Sequence, residues 1–155
     1  MNILVSACLL GTPCRYNGKG VLAPEVRALM EEHHLIPVCP EILGGLATPR
    51  TPAERKGDRV VTKDGADVTK AYERGAKEVL RLARLFGCQA AVLKERSPSC
   101  GAGTIYDGTF TGTLTEGNGV CAQMLLDAGI RVLGEGMVSI SRGLAEKKEI
   151  GRAHV

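Results

Sequence analysis

Cys8 and Cys39 stand directly after the short apolar stretches Ile3 to Ala7 and Leu35 to Val38, and Cys100 lies in the loop after a third, Ala90 to Leu93. Thiolates are nucleophiles and soft metal ligands, and six cysteines in 155 residues call for an explanation. No C-x-x-C pair occurs, which argues against zinc ribbons and thioredoxin-type redox centres. The interval from Cys8 to Arg15 is one residue too long for a C-x5-R phosphate loop, and the glycines form neither G-x-G-x-x-G nor a P-loop. Three separated thiolates with an open fourth position suit an iron–sulfur cluster in which one iron is left free as a Lewis acid. Cys14 lies on the segment after Cys8, and spacing alone leaves open whether it joins the set.

Polar neighbours sharpen this chemistry. Glu41 follows Cys39 and Pro40, and Ser97-Pro98-Ser99-Cys100-Gly101 puts two hydroxyls beside the third cysteine. A carboxylate near a Lewis acid can move protons, and hydroxyls can orient substrate or water, so Glu41, Ser97 and Ser99 are the candidate catalytic residues. Plainer roles compete. Glu41 could be a solvated or capping carboxylate, and the serines could only shape a turn around Pro98. Cys88 and Cys121 read as small buried hydrophobes. Arg15, Arg50 and Arg96 either bind an anion or pair with Glu54 and Glu95, with structural pairing favoured. His33 and His34 fall at a helix end, where the dipole accounts for them. A cysteine nucleophile without metal needs a histidine in the same loops, and His33, His34 and His154 all lie elsewhere.

Cysteines 31 and then 61 positions apart meet only if the fold brings strand ends together. The pattern predicts a helix from Pro24 to about His33, with Val26, Leu29, Met30 and His33 on one face, and a long non-helical stretch from Pro40 to Lys63. A hairpin is expected over Arg59 to Val68 around Asp64-Gly65. The clearest helix runs from Thr69 to Phe86, with Tyr72, Gly75, Val79, Leu82 and Phe86 at helical spacing and Gly87 as its stop. After the third strand comes a loop from Lys94 to Gly117, then a helix capped by Asn118 to Ala128, a fourth strand at Ile130 to Leu133, and a charged tail from Ser141, helical or frayed. Alternating strands and helices predict the α/β class: a single compact Rossmann-like domain with a mainly parallel four-stranded sheet flanked by helices. The loops at the carboxyl ends of such strands share the edge where ligands bind.

Composition is ordinary for a globular chain, at 44% hydrophobic and 24% charged. With no Trp, two Phe and three Tyr, the core must be aliphatic. A net charge of +3 is too small to indicate a nucleic-acid polymer as partner. No apolar run approaches a membrane span, and the start lacks the basic segment of a signal peptide. The expected location is cytoplasmic, where disulfides are rare and clustered cysteines mean metal or catalysis.

Taken together, Ser6-Ala7-Cys8-Leu9-Leu10-Gly11, Cys14-Arg15-Tyr16-Asn17-Gly18, Pro37-Val38-Cys39-Pro40-Glu41, Gly44-Gly45-Leu46 with Pro49-Arg50, and Ser97-Pro98-Ser99-Cys100-Gly101 resemble the signature of the thiouracil desulfurase (TudS) family. The resemblance spans roughly Met1 to Leu133 and implies one iron–sulfur desulfurase-like domain over residues 1–155. It implies a 4Fe–4S cluster held by Cys8, Cys39 and Cys100, with the fourth iron free of protein ligands. The implied reaction is non-redox removal of sulfur from a thiolated pyrimidine such as 2-thiouracil, giving the oxo base and hydrogen sulfide. Glu41 becomes the proton carrier, and Ser97, with Ser99 as runner-up, positions substrate or water. If Cys14 completed the ligand set, the iron would be closed and this chemistry would fail. The competing reading is a non-catalytic iron–sulfur or metal-binding module, such as a cluster carrier. A closed pocket lined by Glu41 separates the two.

Overall fold

A computed structural model describes residues 1–138; the expectation for the tail from Ser141 lies outside the described residues. In chain order the elements are β1 (Asn2–Ser6), α1 (Pro24–Arg27), β2 (His34–Val38), α2 (Pro40–Leu43), β3 (Ala53–Lys56), β4 (Arg59–Thr62), α3 (Thr69–Leu85), β5 (Ala90–Leu93), β6 (Thr104–Tyr106), β7 (Leu114–Glu116), α4 (Val120–Asp127) and β8 (Arg131–Gly134). Four strands form a parallel sheet in the order β2-β1-β5-β8. The chain leaves β1 toward one neighbour and later returns to its other side as β5. That reversal opens a crevice at the carboxyl end of β1.

The central strands are apolar over Ile3 to Val5 and Ala90 to Leu93 because both faces are covered there. Ile3 and Val5 join Leu9, Val26 and Val92 in a core on one face, while Leu4 joins Val79, Ala83, Leu93 and Leu125 on the other. Pro37, which cannot donate to a ladder, sits in β2 at the sheet edge. Helix α3 buries Tyr72, Gly75, Ala76, Val79 and Ala83, and Gly87 adopts φ +64° just beyond its end. Phe86 falls off the expected stripe and is 46% exposed. Among the described residues, no helix is long and apolar enough to cross a membrane.

Several local expectations give way to tertiary structure. Helix α1 makes a single turn and tightens into a 3-10 segment, Ala28–Glu31. A three-residue period keeps Val26 and Leu29 inward but turns Met30 out to 58% exposure. The stretch expected to be non-helical contains α2, started by Pro40 in its first turn. β4 takes β3 as its ladder partner through a turn at Gly57, and the Asp64-Gly65 turn returns the chain to only one bridge, Val61 with Asp67. The expected loop after β5 contains the antiparallel pair β6–β7. Gly119, not Asn118, caps α4, because the Asn118 Oδ1 accepts the Gly103 N–H at 2.7 Å.

One close approach matters for the site. A methyl group on Gly75 would overlap the Pro40 carbonyl, and one on Gly44 would overlap the Ala71 carbonyl. These glycines let the short α2 lie directly on the backbone of α3.

Candidate active site

Strand ends bring the cysteines to one place. Cys8 sits in a 3-10 turn immediately after β1, Cys39 is the residue between β2 and α2, and Cys100 follows the loop leaving β5. Because β2, β1 and β5 are adjacent and parallel, these positions share one edge. Cys8, Cys14, Cys39 and Cys100 all line a cavity of about 430 Å³. Cys88 and Cys121 are buried in the core and do not line it.

Cys8, Cys14 and Cys100 are buried and Cys39 is half-buried, and the ionisation of the three buried thiols reflects it. Burial, with Cys100, Cys14 and Cys39 nearby, pushes Cys8 up to about 12, opposed by Lys94. Burial and the adjacent Cys39 push Cys14 to about 12. Cys100 rises to about 11 through burial, restrained by the Ser6 hydroxyl, which donates to its Sγ at 3.4 Å. Clustered thiolates in so dry a place require a compensating cation. All the candidate ligands are free thiols, the donor type that iron–sulfur clusters take. Among the described residues no three His, Cys, Asp or Glu side chains are placed to hold a single metal ion.

Glu41 is no solvated carboxylate. Its Oε1 accepts the Tyr72 hydroxyl at 2.8 Å, Arg50 Nε at 3.2 Å and Arg50 Nη2 at 3.1 Å. Its Oε2 accepts only the Ser99 hydroxyl, at 3.1 Å, and so retains room for a proton. The close packing of α2 on α3 puts Tyr72 within reach. Burial and the Glu41 carboxylate raise the phenol well above its ordinary value, so it stays a donor. Arg50 also donates to the Cys14 carbonyl at 2.9 Å, the Ala47 carbonyl and the Thr48 hydroxyl. One guanidinium thus ties the Cys14 segment to the carboxylate. The expected pairing of arginines with Glu54 and Glu95 is not what forms: Arg50 pairs with Glu41.

Ser97 and Ser99 divide the remaining work. The Ser97 Oγ accepts the N–H of Ser99 at 3.1 Å and of Cys100 at 2.7 Å, which fills both lone pairs. Its own O–H therefore donates to Ser99 Oγ, 3.1 Å away, and Ser99 passes its hydrogen to Glu41 Oε2. Ser99 is fully buried, whereas Ser97 lines the cavity. Ser97 shapes the turn as well as facing the cavity, so the plain and the chemical readings of that residue hold together.

Sequence reasoning passed over the rest of the wall. Tyr72 falls on the apolar stripe of α3, and Phe110 in the β6–β7 tip carries no periodic signal. The available clue was scarcity: of five aromatic residues, Tyr16, Tyr72, Tyr106 and Phe110 all line this cavity.

A solvent-poor thiol cluster set over an anchored carboxylate, at the crest of a parallel sheet, is the arrangement of an α/β enzyme built around a cysteine-held centre. A profile of the 2-thiouracil desulfurase family matches residues 3–136, and the chain belongs to that family. YbbK of Bacillus subtilis (strain 168), an uncharacterized protein, is 46% identical over 143 residues, which cover 86% of this chain and 95% of YbbK. The solved structure of a 4Fe–4S-dependent thiouracil desulfidase, TudS, is also 46% identical, with a TM-score of 0.83 over 88% of this chain and 91% of its own.

Proposed function

We propose that this protein hydrolyses the C=S bond of a 2-thiouracil-like pyrimidine, giving the oxo base and hydrogen sulfide, with a 4Fe–4S cluster held by Cys8, Cys39 and Cys100. The observation that carries the reading is the convergence of those thiols with Glu41 and Ser97 on one cavity. The all-thiol donor set and the name of the TudS neighbour support the cofactor. When bound, the cluster supplies an iron without a protein ligand, a Lewis acid for the substrate sulfur.

The protein's own groups manage orientation and protons. Arg50 and Tyr72 fix Glu41 by saturating Oε1, which leaves Oε2 as the oxygen that takes a proton. Water loses two protons on becoming the carbonyl oxygen and the departing sulfide gains two. No electron is exchanged, and one carboxylate that accepts and returns a proton serves both halves. Ser97 faces the substrate, and its link through Ser99 holds the hydroxyls in register with Oε2. Cys14 is assigned beside the cluster rather than on it, since an open iron requires only three ligands.

A cluster carrier would expose its cargo, and the Glu41-lined cavity favours the enzyme instead. Two cores packed on the two faces of one parallel sheet support a single desulfurase domain among the described residues. Six free thiols support a cytoplasmic setting. The test is anaerobic reconstitution, iron and sulfide analysis, and a 2-thiouracil assay on one sample. About four irons per chain with uracil release is the expected result. Alanine at Cys8, Cys39 or Cys100 should abolish iron binding, while Cys88→Ala and Cys121→Ala retain it. Absence of iron in the reconstituted wild type overturns the cluster, and four irons without uracil release overturns the substrate.

A further inference from the structure

Non-glycine residues avoid the left-handed backbone region, and where they occupy it the surroundings must enforce it. Among the described residues only Arg96 at φ 69° and Phe110 at φ 58° do so, and both line the active-site cavity. Phe110 stands at the tip between β6 and β7. The Glu54 Oε1 accepts the Gly108 N–H at 3.0 Å and the Phe110 N–H at 3.1 Å, pinning the tip to β3. On the tip's polar side, Asp107, Thr109, Thr111 and Thr113 satisfy one another through oxygen–oxygen contacts of 2.6 to 2.8 Å. The phenyl ring is left for the cavity.

Two of the other aromatic residues there are placed differently, and Tyr106 lies in β6 rather than at the tip. Tyr72 is occupied with Glu41. Tyr16 is 42% exposed and lies 6.0 Å from the Arg15 guanidinium. Phe110 has no polar task, and the chain spends one of its two phenylalanines on a strained loop position rather than on its aliphatic core.

We propose that Phe110 is the platform on which the heterocyclic ring of the substrate stacks, which makes the β6–β7 tip a specificity element of the site. This deepens the desulfurase reading and rests on it. Stacking recognises a planar ring by its face, so it holds thio and oxo bases alike and leaves their discrimination to the sulfur end of the cavity.

Phe110→Gly is the informative variant, because glycine adopts φ 58° without strain while removing the ring. In the cluster-loaded protein, KM for 2-thiouracil and the inhibition constant for uracil should both rise roughly ten-fold, with kcat changed by less than about three-fold. The melting temperature should be equal to or above that of the wild type. Phe110→Tyr should restore both constants. KM and the uracil constant within about two-fold of wild type in Phe110→Gly would overturn the assignment. So would a lowered melting temperature with kcat and KM impaired together and no rescue by Tyr, which marks a structural plug. A wild-type protein that carries the cluster and leaves 2-thiouracil intact overturns instead the desulfurase reading beneath it.

Discussion

Replacing Glu41 by Gln separates proton transfer from site assembly, because the hydrogen bonds dictate how the amide must sit. Three donors converge on Oε1, so only the amide oxygen can occupy that position. The NH₂ group is then forced to the Oε2 position, and the Ser99 hydroxyl turns to accept from it. Volume and contacts are kept, but the oxygen that takes the proton becomes a donor that cannot. Loss of general acid–base catalysis lowers kcat by about 10²–10⁴-fold, equivalent to about 3–5 kcal/mol in the barrier. The Arg50–Glu41 pair also loses its charge assistance; its side chains are 9% and 16% exposed. That costs about 1 kcal/mol, or a fall of roughly 2–4 °C in melting temperature for a chain of this size. The assay is anaerobic turnover of 2-thiouracil on reconstituted protein, with iron content and thermal melting measured on the same sample. Iron content should match the wild type. A kcat within about three-fold of wild type, with the cluster present, would remove Glu41 from the proton path. Loss of iron would make it a structural residue instead.

Three further outcomes follow from the geometry. Arg50→Lys retains a charge but loses the fork that joins Glu41 to the Cys14 carbonyl; kcat should fall roughly ten-fold, and the double variant with Glu41→Gln should be no slower than Glu41→Gln alone. Additive losses in steady-state kinetics would reject the anchoring role. Gly75→Ala forces α2 off α3, costing about 1–3 kcal/mol and lowering kcat by displacing Glu41; a melting curve and a rate both equal to wild type would show that α2 is not seated by that contact. Asp67 is held down at about 2 by the Thr69 hydroxyl and N–H and by Arg59, against an ordinary value of 3.8. Its folded value lies below its unfolded one, so the stabilisation is complete above about pH 4 and is lost as the pH falls toward about 2. Asp67→Ala should therefore melt below wild type near neutral pH, with the gap closing across that acid window. A gap independent of pH would contradict the assignment.

Much of the scaffold was written in short-range pattern. β1 and β5 are legible because the stretches of a strand covered on both faces read as continuous apolar runs, here Ile3 to Val5 and Ala90 to Leu93. Helix α3 shows its buried face at a 3.6-residue spacing, although Phe86, at the end of that stripe, turns to solvent. Once the sheet is parallel, the placement of Cys8, Cys39 and Cys100 on one edge follows from their positions after three strands, without any knowledge of side-chain contacts. The motifs around them carried the family. The working details had no such signal. Arg50, Tyr72 and Ser99 reach Glu41 from 9, 31 and 58 residues away, and nothing periodic links those positions. Asn118 shows the same limit: a sound local rule made it a helix cap, and the Gly103 N–H claimed its oxygen instead. Phe110 reached the cavity through a hairpin pinned by a distant carboxylate. Periodicity reports which face of an element is buried, because burial is shared by a whole row of residues. A directional hydrogen bond belongs to two atoms, and only the folded chain decides which two meet.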